Sequence, residues 1–348
     1  MNLESLGWDA SYAEAFQPHE QDGLTPARVA VEHRSEYVVY SVLGELRAGA
    51  AGRLRFDGEH PAVGDWVAVA ARPDEERATI QAVLPRRTAF VRKAPWLETK
   101  AQVIAANVDV VFVVCGLDAN FNVRRIERYI TLAWESGAEP VVLLTKADLC
   151  DDVDSRRWEV EAVAIGVPVH TVSAPTGEGL EAVASHLGEG RTAALLGSSG
   201  VGKSTLVNAL AGEELLLTRE VREGDGRGRH TTTHRQLVVL PQGGVMLDTP
   251  GMRELQLWDA DEGLSSAFAE IDDLATQCRF NDCAHEREPG CAVRAALADG
   301  SLERERFDSW RKLQRELEAL RIRQDARLLS EARKERRRFA RSMRNSAY

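Results

Sequence analysis

The chain reads as a multidomain protein: an N-terminal β-barrel of OB-fold type, a central α/β domain built around a phosphate loop, and a C-terminal zinc-binding, α-rich domain. Three observations predict this. Short strand-like runs broken by Gly, Pro and Asp fill the stretch from Arg28 to Leu84. From Val108 onward, continuous apolar runs alternate with helical stretches, which calls for a mostly parallel sheet with helices on both faces. Further on, Cys278, Cys283, His285 and Cys291 crowd into fourteen residues. The expected divisions are 1–95, 96–260 and 261–348.

Composition sets the bounds. At 348 residues, with 44% hydrophobic and 28% charged residues, the chain fits two or three soluble globular domains. No apolar run approaches the ~20 residues of a membrane span, and the polar N-terminus lacks a leader pattern. An odd count of five cysteines argues against a disulfide framework. The cytoplasm is the expected compartment, with no membrane partner. The net charge of −10 argues against a nucleic-acid partner, yet the chain from Ser301 carries 15 basic and 8 acidic residues. That asymmetry fits either a basic interaction tail or a solvated charged helix.

Taken in order, Trp8, Tyr12 and Phe16 recur every four residues, the spacing of a short packing helix. Strand-like runs follow at 28–32, 37–43, 52–56, 65–70 and 79–84. Five strands is the count of an OB-fold. Such barrels commonly bind oligonucleotides, but fold alone does not confer that activity, and a purely structural barrel is the alternative. In the α/β region, strands are expected at 108–115, 140–144, 167–172, 192–196, 237–240 and 245–247. Helices are expected at 126–135, 156–165, 180–187 and from Leu206 to Leu210. Ligands of such sheets sit at the carboxyl ends of strands, so the residues just after each run carry the chemistry.

The run 192–196 leads into Gly197-Ser198-Ser199-Gly200-Val201-Gly202-Lys203-Ser204-Thr205 and then a helix. This is the G-x-x-x-x-G-K-[ST] phosphate loop in the strand–loop–helix setting it requires. Its backbone N–H groups and helix N-terminus face an anion. Lys203 reaches the β/γ-phosphates, and the Ser204 hydroxyl ligates Mg²⁺. The other strand ends carry Thr145-Lys146-Ala147-Asp148, Ser173-Ala174 and Asp248-Thr249-Pro250-Gly251.

Together these match the guanine-nucleotide constellation of Ras-like GTPases. Asp148 accepts from the guanine N1–H and amine, Lys146 covers the base plane, and the Ser173-Ala174 backbone receives the guanine oxygen. Asp248 holds Mg²⁺, and the Gly251 N–H faces the γ-phosphate. The order differs from Ras: the base-reading residues precede the phosphate loop, which is a circular permutation. A Gly-rich stretch ending in Arg229-His230-Thr231-Thr232-Thr233-His234 lies where the first switch belongs. One of these threonines should meet Mg²⁺, and the sequence does not single it out; Thr232 is a candidate nucleotide-binding residue.

Cys278, Cys283, His285 and Cys291 form a Cys₃His set that closes a tetrahedral structural Zn²⁺ site. The surrounding segment is too weakly apolar to fold without such a staple. A helical pattern at Phe307, Trp310, Leu313, Leu317 and Leu320 then runs into Arg333-Lys334-Glu335-Arg336-Arg337-Arg338, a run able to contact phosphate backbones.

On these features the chain resembles the RsgA (YjeQ) family of bacterial circularly permuted GTPases. The Cys278/Cys283/His285/Cys291 spacing matches the zinc spacing of that family, and Gly228-Arg229-His230-Thr231-Thr232-Thr233 is similar to its first switch. The resemblance covers nearly the whole chain. It implies hydrolysis of GTP to GDP stimulated by the small ribosomal subunit, and binding to its rRNA during late maturation. The expected protein is a monomer with one Zn²⁺, and Mg²⁺ accompanies GTP. Two residues depart from the usual pattern. Thr145 stands where the base-reading motif most often has Asn; its hydroxyl can still bridge to the phosphate loop but offers fewer hydrogen bonds. Met252 stands where Ras-like proteins place a water-orienting Gln, so His230 is the candidate catalytic residue.

Overall fold

A computed structural model describes residues 1–33, 36–57, 59–93, 101–213, 235–248 and 261–319. Helix α1 (Ala10–Gln21) starts where the Asp9 carboxylate accepts the Ser11 and Tyr12 N–H groups at 3.0 and 3.2 Å. Its four-residue aromatic spacing buries Tyr12 and Phe16, and the Trp8 ring lies 4.8 Å from that of Trp66. Each such ring contributes about 1.5–3 kcal/mol by leaving water.

The barrel consists of β1 (Thr25–Glu32), β2 (Tyr37–Ser41), β3 (Gly44–Ala50), β4 (Trp66–Arg72) and β5 (Arg77–Val83), with α2 (Gly52–Asp57) between β3 and β4. The strand order is β1-β2-β3-β5-β4, and a β1–β4 pairing closes it. Ala27, Val29, Val39, Leu46, Ala48, Val67, Val69 and Ile80 fill its interior.

Two expectations are corrected here. The run 52–56 is helical, and the third strand is β3, which precedes it. Leu46 and Ala48 alternate inward on β3, but its glycines and alanines give a weak strand signal. The run 37–43 is also too long. Val42 and Leu43 are the exposed tip of the β2–β3 hairpin, held by Ser41, whose hydroxyl donates to Gly44 O and accepts from Leu43 N. Apolar residues at a turn imitate a continuing strand.

After β6 (Ala89–Lys93) and β7 (Ala101–Ala106), which pair with each other, the α/β region begins. It contains β8 (Val110–Gly116), α3 (Val123–Glu135), β9 (Glu139–Thr145), α4 (Val153–Glu161), β10 (Val169–Val172), α5 (Leu180–Ala184), β11 (Thr192–Leu196), α6 (Lys203–Ala211), β12 (Arg235–Val239) and β13 (Val245–Asp248). The strands lie in the order β10-β9-β8-β11-β13-β12, parallel except for β12. β8 is buried at every position, as a central parallel strand must be.

The outer strand β12 pairs antiparallel with β1 (Val31 with Gln236, Glu32 with Arg235), so the barrel continues the same sheet. A buried Arg28 reinforces this join. It donates to Leu6 O, to Gly64 O at 3.2 Å and to Asn107 O at 3.0 Å, linking the chain start, the barrel and the approach to β8. Burial pulls its guanidinium down to about 10, still cationic at neutral pH.

The described residues within Met1–Val91 and Val103–Leu255 form one compact unit, and those within Arg92–Gln102 and Gln256–Tyr348 form another. The second contains α7 (Asp261–Ala267), α8 (Ala269–Thr276), α9 (Ala292–Asp299) and α10, residues 304–319. Phe307, Trp310, Leu313 and Leu317 on α10 are buried, as their helical spacing predicts. Among the described residues no helix is long and apolar enough to cross a membrane. His230, Thr232, Gly251, Met252, Leu320 and the basic run 333–338 lie outside the described residues.

Candidate functional site

The phosphate loop leaves β11 at its carboxyl end and enters α6. Gly197 must be glycine: a Cβ there would meet Val114 O of β8 at 2.4 Å. Gly202, at the N-cap of α6, has φ +93, a conformation that side chains resist. Lys203 donates to Gly197 O at 2.7 Å and Ser198 O at 2.6 Å, which lays its ammonium across the loop. Ser204 follows in the first turn of α6, partly exposed.

Adjacent strand ends deliver the candidate base-reading residues to the same edge. β9 ends at Thr145, whose hydroxyl donates to Val201 O of the phosphate loop at 2.6 Å. Thr145 is buried, so this bond ties the two motifs together. Lys146 takes a left-handed backbone, φ +61, the sort of strain that concentrates at functional sites. Ala147 and Asp148 form the next turn, and Asp148 Oδ1 accepts from the buried Ser173 hydroxyl at 2.7 Å. Ser173 and Ala174 follow β10 directly. The carboxylate is thus held in place from the neighbouring strand end. Asp248 closes β13 opposite Gln236.

Replacing Thr145 by Val removes the donor to Val201 O without changing side-chain size. A buried carbonyl left unpaired costs about 1–3 kcal/mol. The expected result is roughly a tenfold loss of GDP affinity by calorimetry. Unchanged affinity would show that the bond does not shape the loop.

Sequence reasoning missed two residues that the fold brings here. Asp118, just past β8, lies 2.6 Å from the Lys146 ammonium. Partial burial raises its pKa, but Lys146 and the Asn120 N–H outweigh that and hold it below the usual carboxylate value. Asp118 follows an apolar strand, so the strand-end rule applied to β8 would have found it. Arg125, capped into α3 by Asn122, donates to the Ser198 hydroxyl at 2.6 Å. No motif marks it.

The Cys/His cluster is the second centre. Its four ligand atoms all lie within 4.8 Å of one another. Cys278 Sγ is 3.8 Å from Cys291 Sγ and 3.6 Å from His285 Nδ1, and His285 Nδ1 is 3.4 Å from Cys291 Sγ. A tetrahedron with metal–sulfur bonds of about 2.3 Å has edges of about 3.8 Å, so the donor set fits a four-coordinate metal ion. Cys278 follows α8, Cys291 caps α9, and His285 has a left-handed backbone, φ +58, that turns its ring back between them. Burial lowers the His285 pKa, keeping a neutral imidazole available as a ligand. Burial and the neighbouring sulfurs push the Cys283 thiol up to about 11, a penalty that a bound cation removes. Glu288 fixes the loop by accepting the Ala284, Glu286 and Arg287 N–H groups at 3.1, 2.9 and 2.9 Å.

Comparisons with known proteins can be set beside this geometry. The family model described as RsgA GTPase matches residues 83–258. A model described as ABC transporter matches residues 180–347, a span that includes the phosphate loop but omits Thr145–Asp148 and Ser173. The small ribosomal subunit biogenesis GTPase RsgA of Opitutus terrae is 50% identical over 329 residues, covering 91% of this chain and 90% of its own. The protein of the same name from Streptomyces coelicolor is 48% identical over 337 residues, 96% of this chain and 91% of its own. Among solved structures, YjeQ from Thermotoga maritima aligns with a TM-score of 0.65 at 30% identity, covering 84% of this chain and 98% of its own. YloQ, a circularly permuted GTPase, aligns with a TM-score of 0.63 at 25% identity, covering 85% and 96%.

Proposed function

The chain belongs to the RsgA GTPase family, and from that premise we propose that it binds the small ribosomal subunit and assists its late maturation, hydrolysing GTP to GDP and phosphate with turnover that the subunit stimulates. One observation carries the nucleotide half of this reading. Thr145 and Asp148, ahead of the phosphate loop in sequence, are hydrogen-bonded into one site with Val201 and Ser173. The relatives' names carry the ribosomal half.

In this reading Asp148 accepts two hydrogen bonds from the guanine N1–H and amine, donors that adenine does not present on that edge. Lys146, steadied by Asp118, lies over the base, and the Ser173-Ala174 backbone receives the guanine oxygen. The N–H groups from Gly197 to Thr205 surround the phosphates, and Lys203 turns from the loop carbonyls to the β/γ oxygens. Ser204, Thr232 and Asp248 would hold Mg²⁺, which supplies charge neutralisation between the β- and γ-phosphates. Gly251 meets the γ-phosphate. His230 orients a water for attack on the γ-phosphorus as the bond to the β–γ bridging oxygen breaks. Met252 has no hydrogen-bonding group with which to do so.

Cys278, Cys283, His285 and Cys291 would supply all four ligands to a Zn²⁺ ion and leave no position open, so the metal would serve structure. A cytoplasmic monomer contacting rRNA completes the reading.

The deciding experiment measures GTP turnover with purified small subunits added, and separately with free duplex DNA. A sharp rise with subunits alone is expected; an equal response to both sinks the ribosomal reading. Base choice has its own test. Asp148→Ala should weaken GDP binding by about 3 kcal/mol, roughly a hundredfold, and leave the far weaker ADP binding unchanged. Comparable GDP and ADP affinities in the unaltered protein would remove guanine specificity.

A further inference from the structure

Arg125 stands in the first turn of α3, where the side chain of the N-cap Asn122 accepts its backbone N–H at 2.9 Å. A helix N-terminus carries partial positive charge and favours anions, so a guanidinium there is held against the local field. The first turn of α3 has no acidic residue to offset it. The neighbouring Arg124 has the buried Glu127 carboxylate at 2.9 Å, but among the described residues no ion pair engages Arg125. The Cys115 thiol lies within its electrostatic reach, yet burial raises that thiol's pKa, so it supplies no counter-charge at neutral pH.

What the guanidinium does touch is the phosphate loop. Arg125 Nη1 donates to the Ser198 hydroxyl at 2.6 Å, while the Lys203 ammonium donates to the Ser198 carbonyl at 2.6 Å. Two cations thus meet on two polar groups of one loop residue. Both are half-buried, where salt screens charge less than at the surface. Lys203 belongs to the loop itself. Arg125 is delivered from another part of the chain, because β8, which leads to α3, pairs beside β11. By themselves these positive groups repel one another. A polyphosphate in the loop offsets that repulsion, and the offset grows with the charge of the anion.

We infer that Arg125 is a specificity-determining residue for the phosphate chain: its charge, held beside the loop through Ser198, favours GTP over GDP. The inference rests on this loop being the site that holds GTP. Arg125 is a positioning residue and not a catalytic one, acting through Ser198 and through its field. A neutral donor to Ser198 would shape the loop alike for both nucleotides, so discrimination between them is the mark of the charge. Hydrolysis removes one negative charge from the bound nucleotide, so Arg125 also makes the product the weaker ligand and eases its release.

The test uses the full chain with Mg²⁺ and calorimetric titration of GDP and of a non-hydrolysable GTP analogue, at low and high salt. Arg125→Gln keeps a donor and removes the charge. It should weaken the analogue on the order of tenfold and GDP by no more than about two- to threefold. Arg125→Lys keeps the charge and should hold the ratio of the two affinities within about twofold of the parent. Raising salt should narrow that ratio in the parent more than in R125Q. Thermal unfolding checks that both variants are folded. Equal losses for the two nucleotides in R125Q would mean a merely structural bond to Ser198, and unchanged affinities would mean an idle arginine; either overturns the inference. So does a ratio in R125K as altered as that in R125Q. If the unaltered protein binds neither nucleotide, the nucleotide reading fails and takes this one with it. If Lys203→Ala abolishes binding of the analogue and R125Q changes nothing, the inference alone fails.

Discussion

Lys203→Ala is expected to reduce GTP turnover by about 10³-fold or more, with and without subunits. Removing one preorganised donor to a developing phosphate charge commonly costs 10²–10³ in rate, and here the donor is a full positive charge. The ammonium lies across the loop on Gly197 O and Ser198 O, in reach of any polyphosphate that the loop surrounds. Lys203 is half-buried and the two loop acceptors of its ammonium are backbone carbonyls, so the packed core does not depend on its side chain. Thermal stability should therefore stay within a few degrees of the parent while turnover collapses. Single-turnover phosphate release, read beside calorimetric GDP titration, separates the two effects. Turnover within tenfold of the parent would mean that this loop is not where GTP is hydrolysed.

Cys283→Ser is expected to act on the other unit. Loss of one thiolate from a closed four-ligand set should weaken zinc affinity by on the order of 10³-fold, about 4 kcal/mol. The second unit should then unfold at lower temperature and lose its metal to a mild chelator. Its buried residues, Phe268, Ile271, Val293 and Phe307 among them, form a small core that needs the staple. GDP affinity should stay near that of the parent, since Thr145, Asp148 and the phosphate loop belong to the first unit. Metal content by elemental analysis and a calorimetric GDP titration give both readings. A parallel loss of GDP affinity would overturn the independence of the two centres.

Both predictions concern motifs that are local in the sequence. A phosphate loop is nine consecutive residues between a strand and a helix, and the cysteine–histidine set spans fourteen. Short-range geometry dictates such features, so they can be read before any fold is known. The parallel strands were equally legible, because a strand buried on both faces, such as β8, must be a continuous apolar run.

The barrel was less transparent. Its strands are short and half-exposed, β3 carries small residues, and an apolar hairpin tip at Val42 and Leu43 extended one strand on paper. Gly52–Asp57 then passed for the strand that Gly44–Ala50 supplies. Local preference in such segments is weak, and closure of the barrel overrides it.

The sequence by itself determined the candidate chemistry: a phosphate-loop motif, candidate base-reading strand ends in permuted order, and a Cys₃His set that could hold a metal. Those depend on residue type and near-neighbour spacing. Only the tertiary structure decided which distant groups meet. It brought Asp118 to Lys146 and Arg125 to Ser198. It joined the barrel to the nucleotide sheet through β1 and β12, with Arg28 buried at the junction. Strand order and register create such pairings, and no local pattern in a chain encodes which strand will lie beside which.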